Sequence, residues 1–305
     1  MGDGTEQNPY TREDVLRLIE ENGDTAEGLD LSGKEFEKRI DLSKLHLSGV
    51  ILEGAILIGA RLERADLTFA HLDGANLETA NLEEAHLAWA SLDGANLAGA
   101  SLRGAWLDRT SFIGAYLIGV EFSPDTKWGN IDWGNYILGE ETDGFFGLAE
   151  DTYRRLKQWH TNAGIYDVAG EFLFREMEAK RKNLSWLQPP GRRWLGWWPL
   201  RGEKVRLNAY KWLYGYGERP WRVLAWAALV VFLVACAHFF TAGILTLSAF
   251  GDSLYYSAVS FTALGYGRWA PQPTGWVKGL GAFEAFVGVF MMALFLVTFI
   301  RKMTR

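Results

Sequence analysis

A strict five-residue period governs the first half of the chain. From Leu42 to Phe122 every fifth residue is Leu or Phe, at seventeen successive positions without a slip. Two residues before most of these positions stands an alanine, for example Ala55 and Ala75. A period of five fits neither the 3.6-residue turn of an α-helix nor the alternation of a β-strand. It predicts a coil that turns a corner every five residues and buries one large and one small side chain per repeat.

The repeated segments ADLTF, ANLET and ANLEE resemble the pentapeptide-repeat family. The resemblance covers about residues 29–139 and implies a right-handed quadrilateral β-solenoid with four repeats, or 20 residues, per coil. Neighbouring coils would then lie ~4.8 Å apart. Leu31 and Phe36 fit the pattern only after a shift of one residue, which predicts an extra residue near Lys38. We place the solenoid at residues 29–145, because the segment after Trp128 is suited to close its far end.

Helical patterns flank the repeats. Thr11 and Asp14 have the spacing of a capping box, which predicts a short helix within an N-terminal cap at residues 1–28. After the repeats the apolar period becomes 3.6, and Gly164 divides a connector at residues 146–183 into the two helices of a hairpin. Residues 184–220 are basic and rich in Trp, a composition typical of a segment at a membrane interface.

Charge is strongly segregated along the chain. Residues 1–150 contain 28 Asp and Glu against 11 Lys and Arg, whereas the remainder contains 9 against 20. The basic half holds two apolar runs, Trp221–Phe240 and Trp276–Ile300. Each is long enough to cross the ~30 Å hydrocarbon core as an α-helix. Basic residues flank the runs on their outer sides, and the N-terminal residues do not resemble a signal peptide. The positive-inside rule therefore predicts a multi-pass protein of the cell (inner) membrane with both termini cytoplasmic.

The connection between the two spans contains Gly265-Tyr266-Gly267. Before it, Asp252 is expected to cap a helix that runs through Phe261 and is too short to cross the bilayer. Irregular backbone at membrane depth occurs only where it is buried in protein or lines a water-filled path. Glycines let successive carbonyl groups turn toward one axis, and a ring of carbonyls can replace the hydration shell of K⁺. One chain supplies only one such loop, so a closed ring requires several copies.

The sequence Thr-Ala-Leu-Gly-Tyr-Gly between two spans resembles the pore of two-helix potassium channels. The resemblance implies a membrane α-helical pore domain at residues 221–305, with two spans, a re-entrant pore helix and four chains around one axis. It also implies K⁺ ions in a selectivity filter, and no cofactor or other metal. The filter positions are Thr262, Ala263, Leu264, Gly265, Tyr266 and Gly267.

Four further features qualify this resemblance. Ala263 stands where the family has Thr, and Arg268 occupies the outer mouth where an acidic residue is usual, so both changes oppose strict selectivity for K⁺. The segment FEAFVG is similar to the second helix of prokaryotic channels of inward-rectifier type. Its Glu284 is expected to support the filter by a hydrogen bond to the backbone of the pore helix or of the filter. Its Gly288 fits either a hinge or a site of close helix packing.

These observations favour the pore-forming subunit of a homotetrameric potassium-type cation channel. A voltage sensor is not expected, because no helix with Arg at every third position precedes the pore. The expected partners are the lipid bilayer, other copies of the chain, and an unknown cytoplasmic protein or ligand on the solenoid. The solenoid would serve gating, assembly or docking. The alternative function is a membrane-tethered binding scaffold that conducts weakly or not at all.

Other function classes have less support. The chain shows no nucleophile–base pair and no phosphate-binding loop, so an enzyme is not expected. Nucleic acid is not expected as a partner either. His46, Asp66 and His86 should stack in one column of the solenoid, where they fit solvated polar residues better than a metal site.

Overall fold

The computed structural model describes residues 2–184, 197–240, 250–263 and 276–303. The chain divides into two compact units, Met1–Ser185 and Trp186–Arg305. The helices of the first unit are α1 (Arg12–Glu21), α2 (Gly139–Thr142), α3 (Phe146–Asn162) and α4 (Tyr166–Asn183). The helices of the second unit are α5 (Trp197–Tyr214), a 3-10 turn (Gly215–Gly217), α6 (Pro220–Phe240), α7 (Phe250–Thr262) and α8 (Trp276–Met303).

The repeats form a β-solenoid between α1 and α2. Within the described residues its coils pair through single parallel bridges rather than through extended strands, and the bridged residues lie 20 positions apart, as in His46–Asp66. The central leucines and the alanines are buried. In the repeats centred on Leu42 to Leu117, each corner is turned by the residue two positions after the central one, which has a positive φ, as in Gly54 (φ +64°) and Phe69 (φ +58°). The five-residue period thus has a backbone cause as well as a packing cause.

Two extra residues interrupt the 20-residue register. Glu35 pairs with Ile56, 21 positions on, whereas Asp41 pairs with Arg61, 20 positions on. This difference confirms the predicted extra residue near Lys38.

The second interruption was not predicted. Trp106 pairs with Lys127 across 21 positions, so the last coil gains one residue. The hydroxyl group of Thr126 donates a hydrogen bond to the carbonyl oxygen of Leu102 at 3.0 Å. A threonine hydroxyl therefore satisfies a backbone carbonyl at the place where the repeat pattern breaks.

Helices cover both ends of the solenoid. At the N-terminal end, the backbone N–H of Asp14 donates to Thr11 Oγ1 (3.3 Å) and the N–H of Thr11 donates to Asp14 Oδ2 (3.2 Å), which is the predicted capping box. At the other end, α3 and α4 lie on either side of Gly164, whose φ is +76°. Their aromatic side chains join the solenoid core, where the rings of Trp133 and Phe172 are 5.0 Å apart.

In the second unit, α6 and the stretch Gly279–Ile300 of α8 are long and apolar enough to cross a membrane. Helix α5 is bonded to α6, since Trp226 Nε1 donates to the carbonyl oxygen of Trp212 at 2.8 Å. Helix α7 packs against both α6 and α8. It begins at Phe250, so Asp252 lies inside its first turn and not at the cap, contrary to the sequence-based expectation.

Candidate functional site

Helix α7 sets the position of the candidate site. Its 13 residues extend ~20 Å, which is too short for the hydrocarbon core. Its C-terminal residue, Thr262, is the first of the predicted filter residues. The side chain of Phe261 is buried together with Val223 of α6 and Met291 of α8. The end of α7 is therefore fixed between the two membrane-length helices.

Two of the predicted filter residues are described. Thr262 Oγ1 donates to the carbonyl oxygen of Ala258 at 2.8 Å, so its hydroxyl group is bonded within its own helix. Ala263 has φ +52°, in the left-handed region, and its N–H still donates to the carbonyl oxygen of Ser260 at 3.0 Å. The chain therefore leaves the helical path at Ala263. The predictions for Leu264, Gly265, Tyr266, Gly267 and Arg268 fall outside the described residues.

Glu284 lies at the contact of α6, α7 and α8. Its side chain is fully buried, and the hydroxyl group of Ser257 on α7 donates a hydrogen bond to its Oε1. The same hydroxyl group lies 2.8 Å from the carbonyl oxygen of Val231 on α6. The hydrogen bond to Glu284 thus comes from a side chain of α7, whereas the sequence-based expectation names the backbone of the pore helix or of the filter.

His238 was not singled out from the sequence. It lies on α6, is fully buried, and its Nε2 is 3.9 Å from Glu284 Oε2. Its ring meets that of Tyr256 on α7 edge to face, with centroids 4.9 Å apart. A histidine near the end of an otherwise apolar span is the sequence signal that marks this position, because ionisable residues within spans are costly and need a partner.

Gly288 contacts the end of α7. A Cβ atom at this position would lie 1.8 Å from the carbonyl oxygen of Phe261. Among the described residues, this contact favours close packing over a hinge as the reason for the glycine. The absence of a side chain lets α8 approach the last turn of α7, next to the predicted filter.

The polar columns of the solenoid have ordinary partners. His46 Nδ1 lies 3.9 Å from Asp66 Oδ2, and the ring of His86 stacks on Trp106 at 4.8 Å. Asn96 donates a side-chain hydrogen bond to Asn76 at 3.3 Å, as expected for an asparagine ladder.

One cluster of potential metal ligands was not predicted from the sequence. Glu53, His71 and Asp73 bring their ligand atoms within 4.8 Å of one another on the solenoid surface. Asp73 Oδ1 already accepts hydrogen bonds from the hydroxyl group of Ser91 and from the backbone N–H of Asp93. Glu53 and His71 are exposed to solvent.

Comparison with known families identifies both halves of the chain. Residues 222–305 match the family model described as "Ion channel". Residues 38–68, 60–99 and 95–123 match the family model for pentapeptide repeats, with eight copies. The chain is therefore a pentapeptide-repeat protein joined to an ion-channel domain. A search of curated proteins finds no match to it.

Solved structures of pentapeptide repeat proteins also match. One is Rfr23 from the cyanobacterium Cyanothece 51142, at 30% identity over 38% of this chain and 97% of that chain, with a TM-score of 0.23. Another comes from the thylakoid lumen of Arabidopsis thaliana, at 32% identity over 35% of this chain and 69% of that chain, with a TM-score of 0.20. With TM-scores this low, the assignment of the repeats rests on the family model and on the residue pattern.

Proposed function

We propose that this protein is the pore-forming subunit of a tetrameric potassium-type cation channel without a voltage sensor. The observation that carries the proposal is α7, a helix too short to cross the bilayer. It is held between two membrane-length helices and is followed directly by Ala263-Leu264-Gly265-Tyr266-Gly267. Four such loops around one axis would provide a closed ring of carbonyl oxygens. The membrane is the inner membrane, and both termini are cytoplasmic.

The filter of this proposal uses backbone oxygens from residues 263–266. The positive φ of Ala263 supports it, because a left-handed residue redirects the carbonyl groups that follow a helix. The hydroxyl group of Thr262 donates its hydrogen within α7 and keeps its oxygen lone pairs, which could still face a cation in the filter. Four copies of Arg268 at the outer mouth would repel cations by about 1 kcal/mol each at exposed range. We therefore expect ion passage with reduced single-channel current.

Ion flux into liposomes tests this function. The purified full-length protein is expected to take up Rb⁺ into K⁺-loaded liposomes, and Ba²⁺ is expected to block the uptake. Gly265→Ala should abolish uptake, because a Cβ atom opposes the left-handed backbone of a carbonyl filter. Gly202→Ala is the matched control, since a Cβ atom at Gly202 on α5 would meet no atom within 4 Å. Uptake by the Gly265→Ala variant at the wild-type rate would refute the filter.

The alternative is a membrane-tethered binding scaffold. Ala263 and Arg268 favour it, because both depart from a conducting filter. The solenoid also presents stacked exposed aromatic rings, Phe69 on Trp89, which suit the docking of a protein or ligand. If a folded oligomer shows no Ba²⁺-sensitive uptake, the scaffold is the better description. In either case the solenoid, right-handed and four-sided in our proposal, serves gating, assembly or docking.

A further inference from the structure

One corner of the solenoid carries bulky side chains where the next corner carries glycine. Residues at intervals of 20 share the first corner, and each has a positive φ: Gly49, Phe69, Trp89 and Arg109. The next corner, five positions further along the chain, has glycine in the same conformation: Gly54, Gly74, Gly94 and Gly114. Glycine adopts a positive φ freely, whereas a bulky residue adopts it at a steric cost. The corner itself therefore does not require Phe69 and Trp89, and strained bulky residues of this kind point to a function.

The bulky side chains of this corner form an exposed ladder. The ring of Phe69 stacks on that of Trp89, with centroids 6.0 Å apart and planes inclined by 23°. The guanidinium carbon of Arg109, one coil further on, lies 4.3 Å from the centroid of the Trp89 ring. Phe69 is 56% exposed and Trp89 is 49% exposed. The ladder thus already holds one guanidinium group against an aromatic ring, which is a favourable arrangement for a planar cation.

The ladder is open at its Phe69 end. Trp89 covers one face of the Phe69 ring, and the coil on the other side places Gly49 at this corner, where its N–H donates to the carbonyl oxygen of Thr68 at 2.8 Å. Gly49 has no side chain to cover the ring. Beyond it lies the exposed Glu27, since a Cβ atom at Gly49 would be 3.1 Å from Glu27 Cγ. An aromatic face and a carboxylate therefore flank a gap above Gly49, and neighbouring coils are ~4.8 Å apart.

We propose that Phe69 and Glu27 form a binding site for an arginine side chain of a partner protein, with Gly49 as its floor. A guanidinium group can stack on the ring of Phe69 and donate hydrogen bonds to the carboxylate of Glu27 at the same time, whereas an ammonium group lacks the planar surface for stacking. Residues 1–150 contain 28 Asp and Glu against 11 Lys and Arg, so their field attracts a basic segment. The inference rests on the docking role proposed for the solenoid and is independent of conduction.

Calorimetric titration of the full-length protein in neutral detergent with a short peptide of alternating Gly and Arg tests the site. The same peptide with citrulline in place of arginine should bind about tenfold more weakly, because citrulline keeps the planar shape without the charge. Phe69→Gly should weaken binding of the arginine peptide about tenfold although the net charge of the protein is unchanged. Glu27→Gln should weaken it as well. The control Ile58→Ala, which removes another exposed apolar side chain of the solenoid, should bind like the wild type.

The melting temperature separates binding from folding. Phe69→Gly should not lower it, because glycine adopts the φ of +58° without steric cost. A lower melting temperature would show that the ring serves the fold and would contradict the site. The site is also refuted if the wild type does not bind the arginine peptide, if Phe69→Gly binds it equally well, or if the citrulline peptide binds as tightly. Peptide binding without Rb⁺ uptake would remove the channel function and leave the site, and uptake without peptide binding would do the reverse.

Discussion

At the scale of single residues, His160 shows how burial sets a protonation state. It lies in α3, is 1% exposed, and its Nδ1 donates to the carbonyl oxygen of Leu156 at 2.8 Å. The rings of Trp128 and Phe172 cover it at 4.5 and 5.2 Å. Burial in this aromatic setting lowers the pKa of His160 from 6.5 to about 4. The imidazole is therefore neutral at physiological pH and acts as part of the apolar core.

This pKa predicts a loss of stability in mild acid. Between pH 6.5 and about pH 4 the unfolded chain binds a proton at His160 that the folded chain does not, so the free energy of unfolding falls as the pH falls. We expect a decrease of ~2 kcal/mol between pH 7 and pH 5. Hydrogen exchange of α3 and α4 peptides in the full-length protein measures it. The variant His160→Leu should lose most of this dependence.

One neighbouring group works in the opposite direction. Glu140 is buried, and burial raises the pKa of its carboxyl group, so its protonation stabilises the folded chain at low pH. Both wild type and His160→Leu contain Glu140. The difference between their pH dependences of unfolding free energy therefore reports the contribution of His160 alone. His71→Gln is the control for an exposed histidine, and it should retain the wild-type dependence. An identical pH dependence in wild type and His160→Leu would contradict the assignment.

At the scale of helices, the approach of α7 to α8 depends on Gly288. A Cβ atom there would lie 1.8 Å from Phe261 O, a clash that only movement of a helix can relieve. Gly288→Ala should cost about 1–3 kcal/mol, the usual range for overpacking, and should lower the melting temperature of the detergent-solubilised protein. Gly279→Ala on the same helix should not lower it, because a Cβ atom at Gly279 meets nothing within 4 Å. If Gly288→Ala keeps the wild-type melting temperature but changes channel gating, the result would instead support a role for Gly288 as a hinge.

The sequence predicts elements better than it predicts contacts between them. The solenoid register follows directly from the period of Leu and Ala, because each repeat packs on the repeat 20 residues away. The extra residue before Lys127 escaped prediction, since the repeat pattern ends at Phe122 and leaves nothing to compare. The meeting of His238 with Glu284 escaped for another reason. It depends on how α6 and α8 rotate against each other, and nearly uniform apolar spans carry no periodic signal for that rotation.

The candidate site was predictable only in part, because the sequence does not specify how the helices contact one another. The pattern around Thr262 identified the end of a short helix before the filter sequence, because local spacing carries that information. Neither the second acceptor of Ser257, Val231, nor the contact between Gly288 and Phe261 follows from spacing. Both depend on the distance between helix backbones, which small residues permit but do not specify.

At the scale of the whole molecule, the charge distribution and the number of spans together predict the orientation of the chain in its membrane. Seven Lys and Arg residues precede the first span within residues 184–220, and Arg301, Lys302 and Arg305 follow the second, whereas Arg268 and Asp252 are the charges between them before Lys278. Two spans return the chain to the side from which it started. Both termini should therefore lie on the same, cytoplasmic side.

The single cysteine of the chain makes this arrangement directly measurable. Cys236 lies within α6, so Cys236→Ser gives a background without thiols. In spheroplasts, Ser32→Cys and Arg305→Cys should react with a membrane-impermeant maleimide only after permeabilisation, and Thr246→Cys, between the spans, should react without it. The physical reason is the cost of carrying the basic flanks across the bilayer. Labelling of Ser32→Cys in intact spheroplasts would show that the N-terminal side faces outward, which is the opposite of the predicted orientation. Labelling of Ser32→Cys and Arg305→Cys from opposite sides would refute two spans.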